Sequence, residues 1–257
     1  MKKQTQNPQS NPESTWFGYE KVNPADKTAR VKGVFTSVAK NYDLMNDLMS
    51  LGIHRLWKKV LLRAINPKAD EKFLDVAGGT GDIALSILEK TKGAASVTVC
   101  DLNPEMLAVG RSRAINRGHL KGINWVEGNA EALPFHARTF DVYTIAFGLR
   151  NVTHIDRALA DAARVLKPGG RFYCLEFAPV EAEPLKKIYD AYSFSLLPWL
   201  GEVVANDRES YQYLAESIRQ FPAPESLKVR LEKAGFTQVR YTKLTGGIAV
   251  LHEAIRV

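Results

Sequence analysis

From Phe73 to Phe177 the apolar residues gather into short runs, each closed by glycine, aspartate, asparagine or proline. Phe73–Ala77 empties into Gly78-Gly79-Thr80-Gly81-Asp82, and Val97-Thr98-Val99-Cys100 stops on Asp101. A third run precedes Asn129-Ala130-Glu131-Ala132-Leu133-Pro134-Phe135. Phe140–Phe147 reads as a fourth strand ending in Gly148-Leu149-Arg150-Asn151. Phe172–Phe177 reads as a fifth, fed by a helix end and turn over Arg164–Arg171. Apolar runs of this length suit strands buried on both faces, with helices between them. Phe236–Lys243 and Gly246–Val257 add two more, so the pattern predicts a doubly wound α/β sheet of seven strands. Two segments lie outside that alternation: a helical addition over 31–65 before the sheet, and an apolar, aromatic insertion over 184–220 after the fifth strand.

The first two strand ends carry the clearest chemistry. Glycines let the backbone turn sharply and approach a ligand closely, and the helix that follows opens with free N–H groups. Asp101 then stands where a ribose diol can donate two hydrogen bonds to one carboxylate. Gly79-Thr80-Gly81-Asp82-Ile83-Ala84 also satisfies the G-x-G-x-x-G/A dinucleotide fingerprint. Three features favour S-adenosylmethionine. Asp75 lies inside the first strand, in Leu74-Asp75-Val76-Ala77-Gly78-Gly79-Thr80-Gly81, which resembles the first motif of class I methyltransferases. There the acid helps to orient the methionine end of the cofactor. Asp101-Leu102-Asn103-Pro104-Glu105-Met106-Leu107 resembles their second motif, with the acid on the ribose, Pro104 opening the next helix and Met106 by the adenine. A Tyr-x-x-x-Lys pair, one common dehydrogenase signature, is missing from the chain. The resemblance implies the Rossmann-like sheet order 3-2-1-4-5-7-6 with the seventh strand antiparallel.

Composition narrows the rest. The chain has 257 residues, enough for one such domain to bury its own core, over 16–257. Residues 1–15 are rich in Gln, Asn, Pro and Ser and read as a disordered tail, with neither an apolar signal core nor a transit-peptide pattern. No apolar stretch reaches transmembrane length. Cys100 and Cys174 fall on buried strands and imply a reducing compartment, hence a cytoplasmic protein. The five histidines lack metal-ligand spacing, so no metal is expected. The net charge of +7 is spread along the chain without the aromatic interleaving of a nucleic-acid groove. Asn/Asp-Pro-Pro-aromatic, the usual signature of base amino-group methylation, is replaced after the fourth strand by Phe147-Gly148-Leu149-Arg150. Nucleic acid is therefore not an expected partner.

The acceptor is written in the additions, because the core is shared by many chemistries. The first holds Tyr42-Asp43-x-Met45-Asn46-x-x-Met49-Ser50-x-Gly52-Ile53-His54-Arg55-x-Trp57. The second holds Val204-Ala205-Asn206-Asp207-x-x-Ser210-Tyr211-x-Tyr213-Leu214-Ala215-Glu216-Ser217-Ile218. With Phe147–Asn151, Arg164–Gly170 and Leu175-Glu176-Phe177, these runs resemble the ubiquinone/menaquinone biosynthesis C-methyltransferases from about Thr15 to Val257. The resemblance implies methylation of a ring carbon on a prenylated benzoquinol or naphthoquinol, without metal. Methylation at oxygen or nitrogen of another apolar small molecule stays open beside it.

The same resemblance places cofactor contacts on Thr80, Asp101, Asn129 and Ala130, joined by Asp75, Gly78 and Leu102 from the two motifs. One family position departs: the residue before Phe147, commonly serine, is Ala146, whose backbone can line the pocket but offers no hydroxyl. Arg150 and Asn151, beyond the fourth strand, are the candidates for steadying a developing phenolate, with Tyr42 beside them and His54 and Asp207 in a second tier. The alternative for Arg150 is a salt bridge that fixes its loop. A substrate held in the bilayer suggests peripheral contact with the inner face of the cytoplasmic membrane, through the aromatic insertion. Association with other quinone-biosynthesis enzymes and a homodimer are left open.

Overall fold

The computed structural model describes residues 14–38, 42–180 and 207–257, together with residues 183, 189, 199 and 202. A short hairpin, β1 (Thr15–Phe17) and β2 (Glu20–Val22), leads into α1 (Pro24–Val38), α2 (Tyr42–Ser50) and α3 (His54–Ile65). Strands and helices then alternate: β3 (Lys72–Val76), α4 (Asp82–Lys90), β4 (Ser96–Asp101), α5 (Pro104–Asn116), β5 (Ile123–Glu127), β6 (Phe140–Ala146), α6 (Ile155–Val165) and β7 (Leu166–Phe177). The chain closes with α7 (Arg208–Gln220), α8 (Pro224–Lys233), β8 (Phe236–Leu244) and β9 (Ala249–Arg256).

The seven-stranded sheet runs β5-β4-β3-β6-β7-β9-β8, parallel except for β9, which is antiparallel to both neighbours. In order of appearance this is 3-2-1-4-5-7-6, as expected. The strand period of two divides the core between the faces. Phe73, Val142, Tyr173 and Leu175 pack on the side of α3, α4 and α7, whereas Leu74, Tyr143, Phe172 and Cys174 pack on the side of α6 and α8. Asp75 and Thr144 fall on the first of these faces, opposite one another in the β3–β6 register.

Two local readings change. The turn expected over Arg164–Arg171 is absorbed into β7: α6 stops at Val165, Leu166 already pairs with Phe140, and the ladder slips before Val142 meets Arg171. Pro168-Gly169-Gly170 is thus an irregularity within a strand, with Gly169 at φ 77. The helical addition comprises α1, α2 and α3, with residues 39–41 outside the described residues and α2 parted from α3 at the Leu51-Gly52 corner, where both residues have positive φ. Of the expected tail, residues 1–13 lie outside the described residues, and Thr15 belongs to β1. Most of the 184–206 half of the insertion also lies outside them, and its second half is α7.

Candidate active site

Parallel sheets offer their ligand crevice at the carboxyl ends of the strands where the order reverses, here between β3 and its neighbours β4 and β6. β3 leaves the sheet through Ala77 at φ 50, Gly79 at φ 53 and Gly81 at φ 78, and α4 starts at Asp82. A methyl group at Gly79 would sit 2.9 Å from Met106 Cε, the free end of a flexible side chain that can give way, so it is the left-handed backbone angle that favours glycine there. At the end of β4, Asp101 Oδ2 accepts the Gly79 N–H at 2.8 Å and Oδ1 accepts the Asn103 N–H at 2.8 Å. Each carboxylate oxygen keeps a further lone pair for a hydroxyl donor. Burial outweighs the backbone hydrogen bonds from Asn103, Gly79 and Leu102 and pushes Asp101 up to about 6. Asn103 caps α5 through Glu105 N–H at 3.0 Å and Met106 N–H at 3.1 Å, with Pro104 in the first turn.

Around this turn the structure forms two adjoining chambers. The larger, about 780 Å³ of space open to solvent, is lined by Asp101, Leu102, Asn129, Ala130, Met106 and Asn151 among others. The smaller, about 300 Å³, is lined by Asp75, Gly78, Thr80, Ala146, Lys58 and Asp82. Ala77 and Phe147 line both and mark the passage between them. All eight cofactor candidates therefore border these two chambers. Asp75 is buried, accepts the Thr144 hydroxyl at 2.7 Å through Oδ1, and leaves Oδ2 without a partner. Burial in this setting pushes it up to about 7. Thr80 is fully buried, and its hydroxyl accepts from Arg113 at 3.2 Å. Asn129 Oδ1 accepts the Glu131 N–H at 2.9 Å, closing the loop after β5.

The catalytic candidates divide. Asn151 lines the larger chamber, and its Oδ1 accepts the Tyr213 hydroxyl at 3.1 Å. The Tyr213 ring is stacked on Phe17 at 4.1 Å, so the N-terminal hairpin helps to set the Asn151 amide. Arg150 is not brought to either chamber. It forms an ion pair with Glu176 in which the two side chains are 1% and 2% exposed, and it donates to the Phe147 carbonyl at 2.7 Å. It borders a third cavity, behind the loop, with Lys27 and Tyr213. Glu176 also accepts the Arg150 N–H at 3.2 Å and the Phe177 N–H at 2.9 Å, so the carboxylate knots the ends of β6 and β7 together. Tyr42 opens α2, and its side chain lies outside the described residues. His54 is buried against Ser50, with Nδ1 2.9 Å from the hydroxyl; burial and the Lys58 charge push it down to about 4. Asp207 caps α7 and accepts the Ser37 hydroxyl at 2.6 Å, tying α1 to α7.

Sequence reasoning missed the wall supplied by α1, where Thr28, Val31, Lys32 and Phe35 line the larger chamber. Their i, i+3, i+4, i+7 spacing is the signal that could have found them. It also missed Asn103 as the tie to that wall, through Nδ2 to Thr36 Oγ1 at 2.9 Å. At the passage Phe147 meets Phe177 at 4.9 Å and Trp57 at 6.3 Å between ring centroids, an apolar side to the chamber mouth.

A glycine turn, a strand-end acid and this sheet order together define a class I methyltransferase. In fold the chain is similar to a methyltransferase of Thermotoga maritima, an S-adenosylmethionine-dependent enzyme described as a possible histamine N-methyltransferase (TM-score 0.64, 17% identity, 88% of this chain and 100% of that one). Residues 24–256 match the ubiE/COQ5 methyltransferase family, and the chain belongs to it. It is 53% identical to the ubiquinone/menaquinone biosynthesis C-methyltransferase UbiE of Bartonella henselae, over 94% of both chains. It is 49% identical to the mitochondrial 2-methoxy-6-polyprenyl-1,4-benzoquinol methylase of Rattus norvegicus, over 95% of this chain and 84% of that protein.

Proposed function

We propose that this enzyme transfers a methyl group from S-adenosylmethionine to a ring carbon of a prenylated benzoquinol or naphthoquinol in ubiquinone or menaquinone biosynthesis. The observation that carries the reading is the family match over residues 24–256, supported by relatives at about half identity named for that chemistry.

The cofactor fits the two chambers. Asp101 has lone pairs left for a ribose diol, Leu102, Asn129, Ala130 and Met106 supply walls for an adenine, and the partnerless Asp75 Oδ2 suits a methionine ammonium. Gly78, Thr80 and Ala146 complete the second chamber. Bound there, S-adenosylmethionine supplies an electrophilic sulfonium methyl. The protein's part is alignment and activation of the acceptor. A ring carbon ortho to a hydroxyl becomes nucleophilic as that O–H is deprotonated or strongly hydrogen-bonded. It takes the methyl by in-line displacement, and the ring proton leaves to restore aromaticity. With Oδ1 engaged by Tyr213, Asn151 has its Nδ2 donors left to offer the acceptor oxygen. Arg150, paired with Glu176, acts as a positioning residue that holds the Phe147–Asn151 loop. Tyr42 completes the catalytic set. No metal takes part, a reading that rests on the histidine spacing. The helices over 31–65 and the 184–220 insertion shape the acceptor side.

The acceptor resides in a bilayer, and the enzyme meets it as a peripheral protein on the inner face of the cytoplasmic membrane. No helix among the described residues is long and apolar enough to cross a membrane. The oxidised quinone is electron-poor, so turnover requires the quinol. Incubation with reduced and unreduced acceptor tests this; equal methylation of both would overturn the mechanism.

A further inference from the structure

Helix α3 buries His54, Trp57, Leu61 and Ile65 on one side and exposes Arg55, Leu56, Lys59 and Arg63 on the other. Leu56 is 59% exposed, and Leu51, on the corner leading into the helix, is 72% exposed. Leu51 takes φ 50 as the left-handed residue that ends α2, where the Gly52 N–H bonds back to the Asp47 carbonyl at 2.9 Å, and the turn points its side chain outward. The cap hydrogen bond accounts for the backbone angle, whereas two neighbouring leucines exposed beside a row of basic side chains are not accounted for by packing within the chain. The position is shaped for an apolar contact from outside.

Beside this ridge a groove of about 850 Å³ opens between α3, α4 and α5. Arg55, Lys58, Lys59, Arg113 and Arg117 line it, and Asp82 is the one acid among the described residues on its wall. Asp82 is shared by Lys58 at 2.7 Å and Arg113 at 3.4 Å. Arg55 pairs with Asp47 at 2.6 Å and Arg117 with Glu89 at 3.3 Å, both surface pairs that hold little free energy against a denser anionic surface. Lys59 and Arg63 have no carboxylate in ion-pair range among the described residues.

We propose that the α2–α3 corner docks on an anionic bilayer, with Leu51 and Leu56 entering the apolar layer and the groove taking a lipid phosphate. The proposal rests on the reading that the acceptor is prenylated, and it moves the contact from the aromatic insertion to α3. The groove adjoins the smaller chamber, since Lys58 and Asp82 line both. Trp57, on the opposite side of the same helix, stands against Phe147 and Phe177 at the chamber passage. Bilayer and reaction site are then separated by about one helix diameter, 10–12 Å.

Co-sedimentation of the full chain with vesicles tests the proposal, using phosphatidylcholine alone or mixed with phosphatidylglycerol. Binding is expected to the mixed vesicles and at least tenfold weaker to the neutral ones. Two double variants, Leu51→Asn/Leu56→Gln and Lys59→Glu/Arg63→Glu, should each weaken binding at least tenfold. Asparagine tolerates the left-handed angle, so the first variant should keep or raise the unfolding midpoint, which separates docking from folding. Unaltered sedimentation of both variants, or equal binding to the two vesicle types, would overturn the proposal. So would loss of a dimer in the leucine variant with vesicle binding unchanged, which would assign the ridge to a second copy of the chain. Vesicle binding is read without turnover. Docking with no methylation of prenylated quinols would refute the reaction and leave the surface standing.

Discussion

Asp75 joins the cofactor reading to a measurable proton. Its carboxyl is pushed from 3.8 up to about 7 because it is fully buried, with one hydrogen bond from Thr144 and a bare Oδ2. Between about pH 4 and pH 7 the folded chain therefore holds a proton that the unfolded chain has lost, and stability falls as pH rises through that window. Above pH 7 the ionised carboxylate costs the unliganded protein up to about 4 kcal/mol, at 1.36 kcal/mol per unit. A ligand ammonium at Oδ2 relieves that cost by favouring the charged form. Binding at about pH 6 should then release about 0.9 of a proton from Asp75 and up to about 0.5 more from Asp101, which is pushed up to about 6 and must ionise to take the ribose; near pH 8 the total falls to about 0.1. Calorimetry with S-adenosylhomocysteine, in two buffers of different ionisation enthalpy, counts those protons directly. Asp75→Asn should raise the unfolding free energy of the free protein above pH 7, cut the proton release at about pH 6 to the share that Asp101 supplies, and weaken the ligand at least tenfold. Binding with no proton release at about pH 6, together with an Asp75→Asn protein no more stable than the parent, would refute the reasoning.

Asp101→Ala should weaken S-adenosylmethionine more than tenfold without unfolding the chain, since charge-assisted hydrogen bonds contribute about 1.5–3 kcal/mol each; unchanged affinity in a titration would remove the ribose assignment. Arg150→Ala strands the buried Glu176 carboxylate and should lower stability by about 3–5 kcal/mol in denaturant unfolding, with part of it restored by Glu176→Ala in the same chain. Parent-like stability with turnover lost would instead make Arg150 a catalytic group. Tyr213→Phe removes the donor to Asn151 and should cut kcat about two- to tenfold with cofactor affinity intact; steady-state kinetics that match the parent would show that the tyrosine does not position the amide. Gly79→Ala, placed at φ 53 and 2.9 Å from Met106, should impair ligand binding more than folding, and calorimetry beside thermal unfolding separates the two.

The sheet was legible because its strands are buried on both faces and their ends carry chemistry. Phe73–Ala77, Val97–Asp101 and Phe140–Phe147 each combine an apolar run with turn residues that have few structural alternatives. The gathering of Asp75, Gly78 and Asp101 around one turn followed for the same reason, since strand period and turn geometry fix their places. Pro168-Gly169-Gly170 misled because the dipeptides that make turns also make bulges, and only the partner strand decides between them. Arg150 was ambiguous because its partner, Glu176, is 26 residues away on another strand, and pairing across a sheet leaves no local trace. The wall made by α1 was readable in principle from the stripe at Thr28, Val31, Lys32 and Phe35. Its spacing says only that one face is sheltered, however, and a chamber lining and a core look alike at that level.

The central claim is tested most directly by a single assay. The full chain would be incubated with methyl-labelled S-adenosylmethionine and demethyl-quinols of both ring types, with and without dithionite, and the products read by mass spectrometry. The account predicts label on a ring carbon, only in the reduced samples, with the preferred ring identifying the pathway. Label on oxygen or nitrogen, or none on either ring while the cofactor binds, would contradict it.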